Sequence, residues 1–231
     1  MGVSPSALNR STLQRQLLLR REPLSVPAAV RAVVGLQAQE PASPYLALWN
    51  RVEGFAPADL DEAVTTAAVV KATLMRITLH LVDRDDWSTF RAAVLPVLRG
   101  ARLDDRRFTS TGRSVAEVDA VLGELDEFTA RPRTGKKIEG FIEARFGAAA
   151  TKGVWWALRT YAPLRRTPTG SPWFFDGPAV YAAGSADDDA EIGRDEAVRT
   201  LARRYLAGFG PATARDFAQF CLVDQATARQ A

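Results

Sequence analysis

The sequence has little cysteine and little histidine, and each shortage excludes a class of protein. Among the 231 residues, Cys221 is the single cysteine and His80 is the single histidine. One cysteine excludes an intramolecular disulfide framework and a cysteine-based zinc site, and one histidine argues against metal chemistry of other kinds. We therefore expect a protein of a reducing compartment that uses neither a metal nor another cofactor.

Long apolar runs are also missing from the chain. No stretch approaches the roughly 18 apolar residues that a membrane helix needs, and residues 1–10 lack the apolar core of a secretory signal. Hydrophobic residues still make up 47% of the chain and charged residues 25%, which is enough to bury globular cores. The expected location is cytoplasmic and nucleoid-associated, with no membrane partner.

Arginine is abundant and unevenly distributed. The chain has 26 arginines against 4 lysines, and its formal net charge is +3. Nine basic residues lie between Arg131 and Arg166 against Glu139 and Glu143, whereas residues 187–196 are strongly acidic. Because the planar guanidinium pairs well with phosphates and guanine edges, this distribution predicts a surface for an anionic partner, namely nucleic acid.

Short helices followed by a β-hairpin recur along the chain. Residues typical of helix starts precede apolar stretches with a helical period; they are Ser11, Ser25, Ser43, Ser114, Thr134 and Thr151. Residues 69–82 instead alternate and are rich in β-branched side chains, which predicts two strands joined by a tight turn near residues 76–78. Residues 164–184 contain a second pattern of short strands, around residues 173–175 and 179–181. Helices followed by a hairpin are typical of winged-helix domains.

This recurrence predicts a mainly α fold with short β-hairpins, of the α+β class, built from tandem winged-helix units. We place the first unit at residues 1–83 and the second at residues 84–186. The acidic run Asp187–Asp189 marks an exposed boundary. Residues 187–231 repeat only the helices of a unit, so we expect an incomplete third unit that is truncated, degenerate or completed by other contacts.

The most informative local feature is the pair Gln37 and Gln39. Residues two apart face the same way only in an extended chain, and Gly35 and Pro41 disfavour a helix across the pair. Two neighbouring carboxamides can accept a hydrogen bond from a water and donate one to a phosphate or a base edge. The alternative interpretation is that these polar residues only finish the preceding helix.

Separate blocks of the sequence together resemble the AlkZ/YcaQ-like winged-helix DNA glycosylases. The blocks are Leu13–Leu19, Gly35–Pro41, Pro44–Val52, Leu74–Val82 and Phe209–Thr213. The resemblance covers essentially the whole chain, and it implies tandem winged helices that hydrolyse the glycosidic bonds of N7-alkylated purines, including crosslinks. The implied partner is double-stranded DNA carrying alkylated purines, with no cofactor.

The resemblance also assigns roles to residues. A Gln-hydrophobic-Gln motif is catalytic in that family, and Gln37-Ala38-Gln39 matches it. Other members have Asp at the second polar position, so this chain is more similar to the branch that unhooks crosslinks. The C-terminal region of the family contributes DNA-contacting elements, and we expect the third unit of this chain to lack its hairpin.

Three further residues of the first unit are candidates for DNA contacts. His80 is expected on a strand, where a hydrogen-bonded structural role competes with a role at the DNA. Arg76, near the hairpin turn, either contacts a phosphate or is solvated. Arg51 follows a helix whose C-terminal carbonyls it could cap instead of binding DNA. On that helix, Tyr45 and Trp49 share one face, which favours core packing over base stacking.

A basic segment of the second unit is the best phosphate-binding candidate. Its residues are Arg131, Arg133, Lys136 and Lys137, and a helix N-terminus follows them. The alternative is an exposed, solvated charge run.

Two competing functions stay open at the level of sequence. Winged helices often bind DNA without cutting it, so a non-catalytic DNA-binding protein or regulator is the main alternative to a glycosylase. A scaffold whose hairpins contact a protein partner is the other.

Overall fold

The structure is a computed structural model that describes residues 4–170, 177–184 and 192–231. Contacts between Cα atoms divide the chain into two compact units. The first unit comprises Met1–Val94 and Ala190–Ala231, and the second comprises Leu95–Asp189. The predicted strand residues 173–175 and the acidic run at 187–189 lie outside the described residues.

The first unit combines short helices with a hairpin. Its elements are α1 (Pro5–Arg15), α2 (Val26–Ala32), β1 (Leu36–Gln37), α3 (Ser43–Trp49), α4 (Pro57–Thr65), β2 (Val69–Thr73), β3 (Leu79–Asp83), the start of α5 (Arg84–Leu103), α11 (Arg194–Phe209), α12 (Ala214–Cys221) and α13 (Gln225–Gln230). β3 pairs antiparallel with β2 on one side and with β1 on the other. Both hairpin strands are largely buried, and α2 packs against β3.

The C-terminal helices belong to the body of the first unit. α11 packs against α1, and α12 packs against the hairpin turn at Met75–Ile77. Tyr205 stands at the centre of an aromatic cluster, with ring centroids at 5.2 Å from Phe209, 5.6 Å from Phe217 and 4.8 Å from Phe220. Such a cluster buries a large apolar area, and it therefore fixes α11 and α12 to each other.

The second unit repeats the order of helices and then a hairpin. Its elements are the rest of α5, then α6 (Arg106–Thr109), α7 (Val115–Asp119), α8 (Leu122–Thr129), β4 (Arg133–Thr134), α9 (Gly135–Phe146), α10 (Ala148–Tyr161), β5 (Leu164–Thr167) and β6 (Val180–Ala183). β6 pairs antiparallel with β5 and with β4. α9 and α10 pack together, and α6 packs against α10.

Three of the six predicted helix starts are confirmed by their caps, one begins its helix without capping it, and two are wrong. The side chains of Ser25, Ser114 and Thr134 accept hydrogen bonds from the first turns of α2, α7 and α9. Ser11 lies inside α1, because Ser4 caps that helix and Pro5 begins it. Thr151 lies inside α10, because the chain turns earlier, at Gly147 with φ 81°. Ser43 is the first residue of α3.

The α+β fold class is confirmed, with helices dominating and short antiparallel hairpins in each unit. The division into winged-helix units at 1–83, 84–186 and 187–231 rests on repeated element order and stays a prediction. Among the described residues, no helix is long and apolar enough to cross a membrane.

Candidate active site

A sharp reversal of the chain positions the two glutamines. α2 ends at Ala32, and then Val34, with φ 73°, and Gly35, with φ 145°, turn the chain into β1. A Cβ atom on Gly35 would lie 3.0 Å from Val82 Cγ1 and 3.1 Å from the carbonyl oxygen of Leu81. Both the backbone conformation and the close approach to β3 therefore require glycine here.

The segment after Gly35 is extended, and its side chains alternate between core and surface. Leu36 and Ala38 are buried, whereas Gln37 and Gln39 are exposed. Gln37 pairs with His80 of β3, and the Ala38 amide donates to the Leu79 carbonyl at 2.8 Å. The glutamines therefore project from the same side of one short strand, and the interpretation of them as a helix end is wrong.

Both glutamines line one depression of about 530 Å³ in the first unit. The Gln39 Oε1 accepts a long hydrogen bond of 3.5 Å from the Leu79 amide. Within the described part of the chain, the carboxamide of Gln37 makes no hydrogen bond, so all of its donors and acceptors are open to a ligand.

His80 lies at the back of this depression and is 2% exposed. Its Nδ1 donates to the Thr78 carbonyl at 3.0 Å, which leaves Nε2 as the acceptor. Burial, opposed by the Thr78 hydrogen bond and helped by the positive charge of Arg76, lowers the pKa of His80 to about 4. The imidazole is therefore neutral at neutral pH, as a structural, hydrogen-bonded residue would be.

Arg76 lies at the rim of the depression, in the turn between β2 and β3. It has a left-handed conformation with φ 54° and ψ 19°, and Ile77 follows with φ 59°. Its guanidinium donates to His80 Nε2 at 3.4 Å and lies 5.2 Å from the Phe220 ring centroid. Non-glycine residues rarely adopt this backbone conformation, and such strain is found most often at functional sites.

Arg51 closes another part of the wall and caps a helix as well. Its Nη1 donates to the Ala47 carbonyl at 2.9 Å, in the last turn of α3. Burial lowers the pKa of Arg51, and its buried Nε has no hydrogen-bond partner among the described residues. Arg51 therefore caps α3 and also lines the depression.

The predicted sharing of one buried face by Tyr45 and Trp49 is wrong for Trp49. Tyr45 is buried, and its hydroxyl donates to Asp61 at 2.5 Å. Trp49 is 52% exposed, and the Arg21 guanidinium lies 4.1 Å from its ring centroid. The buried residues of α3 are Pro44, Tyr45 and Leu48, and Trp49 is the last residue of the helix.

Sequence reasoning missed several residues that line the same depression, among them four with long polar or aromatic side chains. Phe209 and Phe220 come from the C-terminal helices, and Gln16 and Glu40 come from the N-terminal half. Gln16 is fixed by a 2.8 Å hydrogen bond from its Nε2 to the Gly208 carbonyl. Gln16, Glu40 and Phe209 lie in or beside blocks that carry the family resemblance, which is the signal that could have found them.

In the basic segment of the second unit, one of the four predicted side chains is held by contacts within the protein and three are exposed. Arg133 donates through Nε to the Phe128 carbonyl at 3.0 Å and lies 4.7 Å from the Phe128 ring centroid. Arg131, Lys136 and Lys137 are exposed, and the last two begin α9 behind the Thr134 cap. Arg133 therefore has a structural role at the end of α8, while the other three remain available to phosphates.

A family model and a solved structure match this chain. A family model described as "DNA glycosylase AlkZ-like" matches residues 30–231. Among solved structures, the Streptomyces sahachiroi DNA glycosylase AlkZ superposes with a TM-score of 0.84 at 19% sequence identity. That match covers 100% of this chain and 64% of the Streptomyces protein, so this chain spans less than two thirds of its length. The comparison with curated proteins gives no match.

Proposed function

This chain belongs to the AlkZ-like DNA glycosylase family, and from that premise we propose that it hydrolyses the N-glycosidic bond of N7-alkylated purines in duplex DNA. The observation that carries the proposal is the projection of Gln37 and Gln39 from one side of a short strand into a shared depression. Catalysis is monofunctional, because a carboxamide offers no amine for attack on the sugar.

Alkylation at N7 explains why neutral amides are sufficient. It places a positive charge on the purine, so the base leaves as a neutral molecule and needs no strong general acid. As the bond between C1′ and N9 breaks, its electron pair neutralises the purine, and the sugar becomes similar to an oxocarbenium ion. Catalysis therefore depends on stabilising the positive charge that develops on the sugar and on positioning the attacking water.

The carboxamide oxygens of Gln37 and Gln39 can supply both effects. They orient a water toward C1′, and their negative dipole ends face the developing cation. A bond forms between the water oxygen and C1′, and the water loses its proton to solvent, because an amide does not take it up. Intact purines, which leave as anions, are therefore expected to be stable to this protein.

The cationic side chains suit a different part of the substrate. Arg76 and Arg51 would repel a cationic base at close range, but they attract the phosphates that flank it. His80, being neutral, adds no charge against the base and holds the Arg76 guanidinium in place. Interstrand crosslinks through N7 carry the same cationic purine, so we include them as substrates.

A base-release assay on defined duplexes tests the proposal. One duplex carries N7-methylguanine, one carries an N7 interstrand crosslink, and one is unmodified; free base and unhooked strand are measured by mass spectrometry and gel. We expect release from the first two only. A Gln37→Ala preparation purified in parallel controls for contaminating glycosylase, and equal release from both preparations contradicts the proposal.

Glu40 offers an alternative catalytic group, because its carboxylate lines the same depression. If the carboxamides carry catalysis, Glu40→Gln should retain base release to within about tenfold, since only a flanking charge is removed. A loss as large as that of Gln37→Ala would instead assign activation of the water to the carboxylate. Single-turnover rates with the N7-methylguanine duplex distinguish the two outcomes.

A further inference from the structure

A half-buried tryptophan in the second unit is surrounded by guanidinium groups. The Cζ atoms of Arg102 and Arg107 both lie 4.2 Å from the Trp156 ring centroid, and that of Arg159 lies 4.9 Å from it. Each guanidinium is attracted to the electron-rich ring. Three positive charges therefore lie close to one indole ring.

Those charges are not neutralised by the neighbouring carboxylates. Among the described residues, Arg102, Arg107 and Arg159 form no ion pair with an acidic side chain. Burial lowers the pKa of Arg102, and the positive charge of Arg159 lowers it further, only partly opposed by the charge of Asp105. The mutual repulsion of the guanidinium groups would be relieved by a bound anion.

A depression of about 600 Å³ adjoins the ring, and most of its polar lining consists of donors. Arg107, Lys152 and Arg159 are exposed around it, and Ser110 and Thr111 contribute hydroxyl groups. Glu139 is its single carboxylate among the described residues. This lining suits a phosphate, which accepts several hydrogen bonds and carries a permanent negative charge.

The arrangement depends on a close approach between α6 and α10. A Cβ atom on Gly153 would lie 2.2 Å from the Arg107 carbonyl oxygen and 2.4 Å from Thr111 Cγ2. Glycine at this position thus lets the Arg107 segment lie directly on α10. On α10, Lys152, Trp156 and Arg159 follow at intervals of four and three residues and so share one face.

We propose that the Trp156 cluster, defined as Arg102, Arg107, Lys152, Trp156 and Arg159, binds backbone phosphates of duplex DNA. The proposal rests on the proposed function, because it takes the anion to be the DNA on which the protein acts. Phosphate contacts position a duplex without reading its sequence. A nucleobase is a poorer fit, because the guanidinium groups already occupy the space beside the ring.

Salt-dependent binding to an undamaged duplex tests the cluster independently of catalysis. Fluorescence anisotropy with a labelled 20-base-pair duplex at several salt concentrations compares the wild type with Arg107→Gln/Arg159→Gln. The control is Arg145→Gln/Arg203→Gln, which removes the same charge from arginines already paired with Glu124 and Glu196. Thermal unfolding of all three proteins checks that each is folded.

We expect the cluster variant to reduce the slope of log affinity against log salt by about 2, since each lost phosphate contact removes roughly 0.9. The control should change the slope by less than about 0.5. Equal slopes in both variants overturn the proposal, as does calorimetric binding of inorganic phosphate at the cluster without any effect on the DNA slope. If the wild type releases no alkylated base but the slope falls as expected, the proposed function fails and the site stands.

Discussion

Burial of His80 makes the stability of the protein depend on pH below neutrality. Its pKa is lowered to about 4 in the folded chain, against about 6.5 when unfolded. As the pH falls between these values, the unfolded chain gains a proton that the folded chain does not, so the free energy of unfolding decreases. The full loss is on the order of 3 kcal/mol.

The variant His80→Gln isolates this contribution. Urea unfolding of wild type and variant at pH 7 and at pH 4.5 should show a wild-type loss that exceeds the variant's by about 2 kcal/mol. Other titrating groups affect both proteins alike and cancel in the comparison. Parallel loss of stability in the two proteins would contradict the assignment of a buried, neutral imidazole.

At the residue scale, the paired glutamines were predictable, whereas their surroundings were not. Gly35 and Pro41 are read from sequence as helix breakers, and they suffice to predict an extended segment with Gln37 and Gln39 on one side. The pairing of Gln37 with His80 depends on strand register, which a short strand does not fix by itself. The catalytic role of the pair stays a prediction.

At the scale of elements, the approach of α6 to α10 depends on a single glycine. Gly153→Ala places a methyl group against the backbone of Arg107, and we expect a loss of about 1–3 kcal/mol in the free energy of unfolding. The matched control is Gly140→Ala in α9, where a Cβ meets no atom within 4 Å. It should stabilise the protein by about 0.5–1 kcal/mol, because alanine favours helix.

Urea denaturation of both glycine variants measures these opposite effects. If Gly153→Ala stabilises the protein as Gly140→Ala does, helix propensity and not packing governs Gly153. Gly153→Ala should also displace Arg107. If the Trp156 cluster contacts phosphate, this variant should therefore bind undamaged DNA more weakly than the wild type.

Helix starts were predictable only where local chemistry decides them. Ser114 and Thr134 cap α7 and α9 through their own side chains, and sequence pattern identifies such caps. At Thr151 the same residue type lies inside α10, with its hydroxyl donating to the Gly147 carbonyl at 3.0 Å. Serine and threonine tolerate both positions, so the pattern alone does not distinguish them.

At the scale of the whole molecule, an ion pair connects distant parts of the chain. Arg204 of α11 donates to the buried Asp86 carboxylate at 2.6 Å and to the Arg31 carbonyl at 2.6 Å. Burial raises the pKa of Asp86, and Arg204 opposes that rise. Removing the arginine would leave a buried charge without its main partner.

We therefore expect Arg204→Ala to lower the free energy of unfolding by roughly 3 kcal/mol, and Asp86→Asn in the same protein to restore part of the loss. A double-mutant cycle by urea unfolding measures the coupling between the two side chains. Additive effects of the two substitutions would contradict the interaction.

The packing of residues 192–231 was the least predictable feature. Their helices were expected from local sequence, and the place of Phe209 and Phe220 in the wall around Gln37 was not. The depression brings together segments about 170 residues apart in the sequence, and local pattern carries no information about such pairings. The resemblance block at Phe209–Thr213 marks the segment as important without saying what it contacts.

Single-turnover release of N7-methylguanine from a defined duplex tests the central claim most directly. With protein in excess, Gln37→Ala and Gln39→Ala should each slow release by about 100-fold, as expected for the loss of one preorganised dipole. The control Gln219→Ala, which removes an exposed glutamine outside the depression, should match the wild type. Unchanged rates in both motif variants would contradict catalysis by the carboxamide pair.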